Sequence, residues 1–159
     1  MVHNIHLSEL IHRQAERYGD KTALKHYDYA ASAWRDVSWR QFSTRVLRVS
    51  YALLALGIGR QERIAVFSQN KPVSFGGYGI RAVTTPFYPS SSGAQITYMM
   101  NDAEVRLLFV GEQQQYDVAF SVLSLCKSLE RIVIFDKSVK RKETDHLSIY
   151  FDEFLELAS

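Results

Sequence analysis

A single cysteine, Cys126, stands in the chain, so no internal disulfide can form and the sequence fits a reducing compartment. The amino-terminal stretch MVHNIHLSEL has no basic region followed by a long apolar run. No signal peptide or transmembrane span is read there, and a cytoplasmic location is the expectation. Excess charge is lacking too. Lys plus Arg number 19 and Asp plus Glu 17, a net charge of +2, which is too small to point to nucleic acid as a partner. The basic cluster Lys137, Lys140, Arg141 and Lys142 runs on into Glu143 and Asp145 and reads as a solvated loop. His3, His6, His12, His26 and His146 show no ligand spacing with cysteine or carboxylates, which argues against a metal site. No glycine-rich phosphate loop ending in Lys-Ser or Lys-Thr is present, and no Ser or Cys sits in a nucleophile setting.

What is present is material for a core. The 159 residues suit one domain, and nine Tyr, nine Phe and two Trp supply large apolar side chains. A chain of this size buries roughly two thirds of its unfolded surface.

Periodicity then orders the chain. Leu7, Leu10, Ile11, Ala15 and Tyr18 predict a helix over 6–18, which Gly19 can stop. Extended segments at 22–27 and 33–37, joined by DYAAS, predict a hairpin. Ser38 and Gln41 form a capping box, with Val37 and Phe42 as a hydrophobic staple. Behind it, Phe42, Val46, Val49, Leu53 and Leu56 make one apolar stripe that ends at Gly57 and Gly59. Residues 64–67, 105–110 and 132–135 are apolar runs without alternation, as in strands of a parallel sheet covered on both faces. Helices are predicted between them: a short one after Pro72, one over 93–101 behind a second capping box at Ser92 and Gln95, and one over 112–129. A final helix covers 151–158. Alternating strands and helices predict an α/β fold, a largely parallel sheet flanked by helices.

Candidate chemistry is thin. Gly77, Gly79 and Ala82 match the G-x-G-x-x-A dinucleotide pattern, but the extended Val83-Thr84-Thr85-Pro86 that follows favours glycines packed closely against a neighbouring element. Ser90 to Ser92 could meet an anion, yet helix capping accounts for them. Asp152, Glu153 and Glu156 read as a solvated helix face, Cys126 as buried and inert, Met99 and Met100 as core. Residues alone lead to an α/β module with no visible active site.

The order of local phrases reaches further. LSELIHRQAERYGDKTALKH at 7–26, VSWRQF at 37–42, ALGIGRQERIAVFSQNKP at 55–72 and GIRAVTTPFYPSSSGAQITYMMNDAEVRLLFVGEQQQYD at 79–117 together resemble the N-terminal region of AMP-forming adenylating enzymes. The likeness points to bacterial long-chain fatty-acid–CoA ligases. It implies a partial AMP-binding domain over 1–159, with the nucleotide-binding core and C-terminal domain absent and the remainder of the polypeptide as partner. It implies ATP, Mg²⁺, coenzyme A and a fatty acid for the complete enzyme, at or near a membrane, and none of these cofactors for this fragment alone. No catalytic, cofactor-binding or metal-binding residue is assigned here. The matching residues would be scaffold, including a cap at Asn70 and Pro72 and the turn through Pro89 and Ser92. Asn70 and Tyr88 would approach a shared site without a stated role. Two further readings stay open beside it: a self-contained nucleotide-binding module using Gly77 and Gly79, and a ligand-free interaction domain that self-associates through an exposed apolar patch. Two departures from the family pattern are a short stretch from Pro72 to Val83 and Gly93 in place of a proline.

Overall fold

The computed structural model describes residues 7–28, 31–69 and 71–158. Helix α1 (Leu7–Tyr18) ends at Gly19, whose φ of +53° and amide bond to the Ala15 carbonyl close the last turn. Strands β1 (Thr22–Asp28) and β2 (Ala33–Ser38) pair antiparallel as the predicted hairpin. Helix α2 (Trp39–Ala55) starts on the capping box, with the Ser38 hydroxyl accepting from the Gln41 amide and the Gln41 side chain accepting from Ser38 N.

After α2 the chain enters a five-stranded sheet. Its elements are β3 (Arg63–Phe67), α3 (Ser74–Gly79), β4 (Val83–Phe87), α4 (Gly93–Asp102), β5 (Leu107–Val110), α5 (Gln113–Ser121), a short 3₁₀ turn (Leu123–Leu125), β6 (Arg131–Ile134), β7 (Ser148–Tyr150) and α6 (Phe151–Glu156). All neighbouring strands are parallel, in the order β4-β3-β5-β6-β7. The α/β expectation, a largely parallel sheet flanked by helices, is met.

Alternation along the strands sorts the core into two layers. Ile64, Val66, Leu107, Phe109 and Val133 face α2 and α6 through Val49, Leu53 and Phe154. Ala65, Phe67, Leu108, Val110, Ile132 and Ile134 face α4 and α5 through Ile96, Met100, Tyr116 and Ala119. A smaller cluster of Ile11, Val37, Phe42 and Val46 joins α1 and the hairpin base to α2.

Strand β4 forms one edge of the sheet. The Val83 amide donates to the Glu62 carbonyl at 2.8 Å, so alternate amides from Val83 onward point at β3. Pro86 then falls at an outward position, where its missing N–H removes no ladder bond.

Two elements depart from the sequence-based expectation. The segment 112–129 is not one helix: α5 ends at Ser121, and the 3₁₀ turn and a loop follow. Nine helical residues rise about 13.5 Å, close to the roughly 13 Å of a four-residue strand, whereas eighteen would overshoot. Strand β7 was not foreseen.

Candidate functional site

Order β4-β3-β5 means that the chain runs from β3 to one side and then returns to the other. This reversal is where open α/β sheets place ligands, outside the carboxyl ends of the strands. At the reversal itself the backbone is closed up. A Cβ on Gly111, after β5, would stand 3.0 Å from Ser68 Cβ, after β3. Buried Gln115 fills the remaining space: its Oε1 accepts from the Glu112 amide at 3.0 Å and its Nε2 donates to the Pro89 carbonyl at 3.1 Å. It therefore ties the loop after β4 to the start of α5. Sequence reasoning missed Gln115. Its position three residues after Glu112 was the available signal, hidden because Glu is a weak cap.

The open space lies one strand over, at the carboxyl ends of β3 and β4. A cleft of about 360 Å³ is bounded by Ser68, Gln69, Lys71, Pro86, Phe87 and Tyr88, among others, and no Asp or Glu lines it. Tyr88 is 83% exposed at its rim. Lys71 Nζ lies 5.7 Å from the Phe135 ring centre, a cation–π distance. Asn70, the other residue named for a shared site, lies outside the described residues.

A larger hollow of about 690 Å³ opens at the opposite end, among the strand starts. Its two arginines are each paired, and Lys127 on its wall makes no ion pair with a described residue. Arg106 bridges Glu62 and Glu130, reaching Glu130 Oε2 at 2.7 Å, and Arg63 pairs with Glu104. The Arg106 guanidinium holds the Glu130 carboxyl below its ordinary value. This hollow is a brace between strand ends, on the wrong edge of the sheet for a ligand.

The other candidates resolve into packing. Gly77 and Gly79 lie inside α3 rather than in a loop before a helix. A Cβ on Gly77 would stand 2.7 Å from Thr84 Oγ1, and one on Gly79 2.7 Å from Ser50 Oγ. Ser92 accepts from the Gln95 amide and caps α4, as its sequence setting implies. Met100 is fully buried. Cys126 is buried, and burial pushes its thiol pKa up, away from the reactive thiolate. His12 Nδ1 is hydrogen-bonded to Ser43 Oγ at 2.7 Å, while His3 and His6 lie outside the described residues. Asp152 pairs with Lys137, and Glu153 accepts from the Tyr150 amide at the start of α6. The basic cluster is dispersed: Lys142 pairs with Asp117, and Arg141 covers the Tyr150 ring. Among the described residues no three of His, Cys, Asp and Glu gather to hold a metal ion. No described helix is long and apolar enough to cross a membrane.

Comparison with known proteins adds the decisive observation: a model of the AMP-binding enzyme family matches residues 11–154. The chain belongs to the AMP-binding enzyme family. Similar proteins include a long-chain-fatty-acid–CoA ligase of Macaca fascicularis, 23% identical over 154 residues, covering 94% of this chain and 21% of the relative. A long-chain-fatty-acid–CoA ligase of Mycobacterium bovis is 28% identical over 80 residues, 48% of this chain and 13% of the relative. The chain thus spans about a fifth or less of the length of these relatives. Among solved structures, an anthranilate CoA ligase in complex with anthranoyl-AMP superposes with a TM-score of 0.79 at 19% identity, over 96% of this chain and 28% of that one. A mutant form of coronafacic acid ligase from Pectobacterium brasiliense superposes with a TM-score of 0.81 at 15% identity, over 96% and 29%. As an AMP-binding enzyme fold, the chain places its closed reversal point and its open cleft on the same edge of the sheet.

Proposed function

We propose that this chain is the N-terminal scaffold of an ATP-dependent acid–CoA ligase acting on long-chain fatty acids, and that it is inactive by itself. The observation that carries this reading is the family match over 11–154, together with relatives named as long-chain-fatty-acid–CoA ligases. In such a ligase the carboxylate oxygen displaces diphosphate from the ATP α-phosphorus to give an acyl-adenylate, and the acyl group then passes to the coenzyme A thiol with AMP leaving. The chemical difficulty is the poor leaving group of the free acid, and adenylation replaces it. When bound, Mg²⁺ and phosphate-binding groups would stabilise the charge on the transferring phosphate.

The described residues of this chain bring no nucleophile, base or metal cluster to one place. Their contribution is a rigid sheet with an ordered carboxyl edge, fixed by Gln115, Gly111 and Ser68. The rest of the polypeptide is the proposed partner, packed against this module and supplying the nucleotide site. ATP, Mg²⁺ and coenzyme A belong to that complete enzyme, working in the cytoplasm at a membrane surface.

The test compares acyl-CoA formation from palmitate, ATP, Mg²⁺ and coenzyme A by the full gene product and by residues 1–159. Product from the longer protein alone is expected. Equal product from residues 1–159 would overturn the scaffold reading.

A further inference from the structure

We propose that α4 and the 3₁₀ turn after α5 form the face through which two copies of this protein pair, around a two-fold axis. The pairing goes beyond the ligase reading and does not depend on it.

The face is apolar and already ordered. Ala94, Thr97, Tyr98, Asn101 and Asp102 of α4 line a shallow hollow with Leu125 of the turn. Spacings of three and four put those α4 residues on one side of the helix. Tyr98 is 70% exposed and Leu125 56%. Asn101 fixes the turn beside the helix: its Nδ2 donates to the Leu125 carbonyl at 2.9 Å, and its Oδ1 accepts from the Lys127 amide at 3.0 Å. The Thr97 hydroxyl donates to the Gly93 carbonyl at 2.9 Å, so covering it strands no donor. Little ordering is left for a partner to impose.

Charge decides what covers this face. Two rows meet at Asn101: Tyr98 and Asp102 on the helix, Leu125 and Lys127 on the turn. Asp102 and Lys127 are both exposed, and neither forms an ion pair with a described residue. A face holding one unpaired charge of each sign beside apolar groups is complementary to itself. A two-fold axis lying along the seam between the rows exchanges them. Tyr98 of one copy then meets Leu125 of the second copy, Asp102 meets Lys127, and each contact is made twice.

A second exposed apolar stripe lacks this property. Leu47, Tyr51 and Leu54 stand exposed on α2 at helical spacing. That helix carries Arg40, Arg45 and Arg48 and no carboxylate. Pairing it with itself would gather like charges, which works against association. The α4 face carries no such penalty. Its small extent suits a weak, reversible dimer rather than an obligate one.

Sedimentation equilibrium of the full-length protein over a range of concentrations tests the pairing. A monomer–dimer equilibrium is expected. Tyr98→Ser should weaken it about tenfold, because a buried aromatic anchor carries much of such an interface. Asp102→Lys and Lys127→Glu should each weaken it about threefold by setting like charges together, and the double variant should return it to the wild-type value. All three side chains are exposed, so the substitutions leave the fold intact. A protein that stays monomeric at every concentration overturns the proposal, as does a dimer insensitive to Tyr98→Ser. A dimer lost instead in Tyr51→Ser would move the pairing to α2 and overturn it too. Single charge reversals that weaken pairing without rescue in the double variant have the same consequence.

Discussion

Tyr116 on α5 donates its phenolic hydrogen to the Asp145 carboxylate at an oxygen–oxygen distance of 2.6 Å, in a contact closed to solvent. The same hydroxyl accepts from the Lys142 amide at 2.8 Å, and Asp145 Oδ1 accepts from the amides of Leu147 and Ser148. One side chain on a helix thereby fastens the loop that delivers β7 to the sheet edge. Tyr116→Phe leaves the buried carboxylate short of a donor and should cost about 1.5–3 kcal/mol. A lowered urea midpoint at unchanged m value checks it.

The same contact sets a pH dependence. Burial raises the Asp145 carboxyl, but hydrogen bonds from Ser148, Tyr116 and Leu147 outweigh it and hold the carboxyl below its ordinary 3.8. Its contribution is therefore present above pH 3.8 and is lost as pH falls through the lower folded value. Burial, then the neighbouring carboxylate, pushes Tyr116 up to about 12 from 10.0. That contribution is complete below pH 10 and is lost as pH rises through about 12. Stability measured against pH should lose this alkaline limb in Tyr116→Phe and keep it in the wild type.

The glycines of α3 make a separate prediction. A side chain on Gly76 would run into Val49, and one on Gly77 would meet Thr84 and Ile64. Gly77→Val should destabilise the protein by about 1–3 kcal/mol through overpacking. Gly59→Ala, where nothing lies within 4 Å of the added atom, should change little. Thermal unfolding of the two variants checks the packing role, and titration of NAD and ATP into the wild type should show no micromolar binding for Gly77→Val to remove.

The two capping boxes that begin with serine should be measurable. Ser38→Ala and Ser92→Ala each remove an acceptor for a helix-start amide and should each cost about 1 kcal/mol. The sites are on different elements and share no partner, so the double variant should show the sum.

These caps were also the most legible features of the sequence. Ser-x-x-Gln before an apolar stripe is a local code, and both α2 and α4 begin where it placed them. The runs at 64–67, 105–110 and 132–135 gave the central strands because a strand buried on both faces leaves no room for polar alternation. Strand β7 escaped because three residues, Ser148 to Tyr150, have too little length for any period. Its place depends on Asp145 and Tyr116, 29 residues apart. The helix expected over 112–129 overruns α5 because Val122, Cys126 and Leu129 keep helical spacing past Ser121, where the chain turns into a 3₁₀ turn. The cleft was partly visible through Tyr88, and its walls meet only because β3 and β4 pair in parallel.

We propose that this module is part of a polypeptide that adenylates acids. Carboxylate-dependent exchange of labelled pyrophosphate into ATP, measured on the folded full-length gene product with a panel of fatty and aromatic acids, tests it most directly. Exchange is expected with at least one acid, strongest with long-chain fatty acids, and none from residues 1–159. No exchange with any acid from the folded longer protein would contradict it.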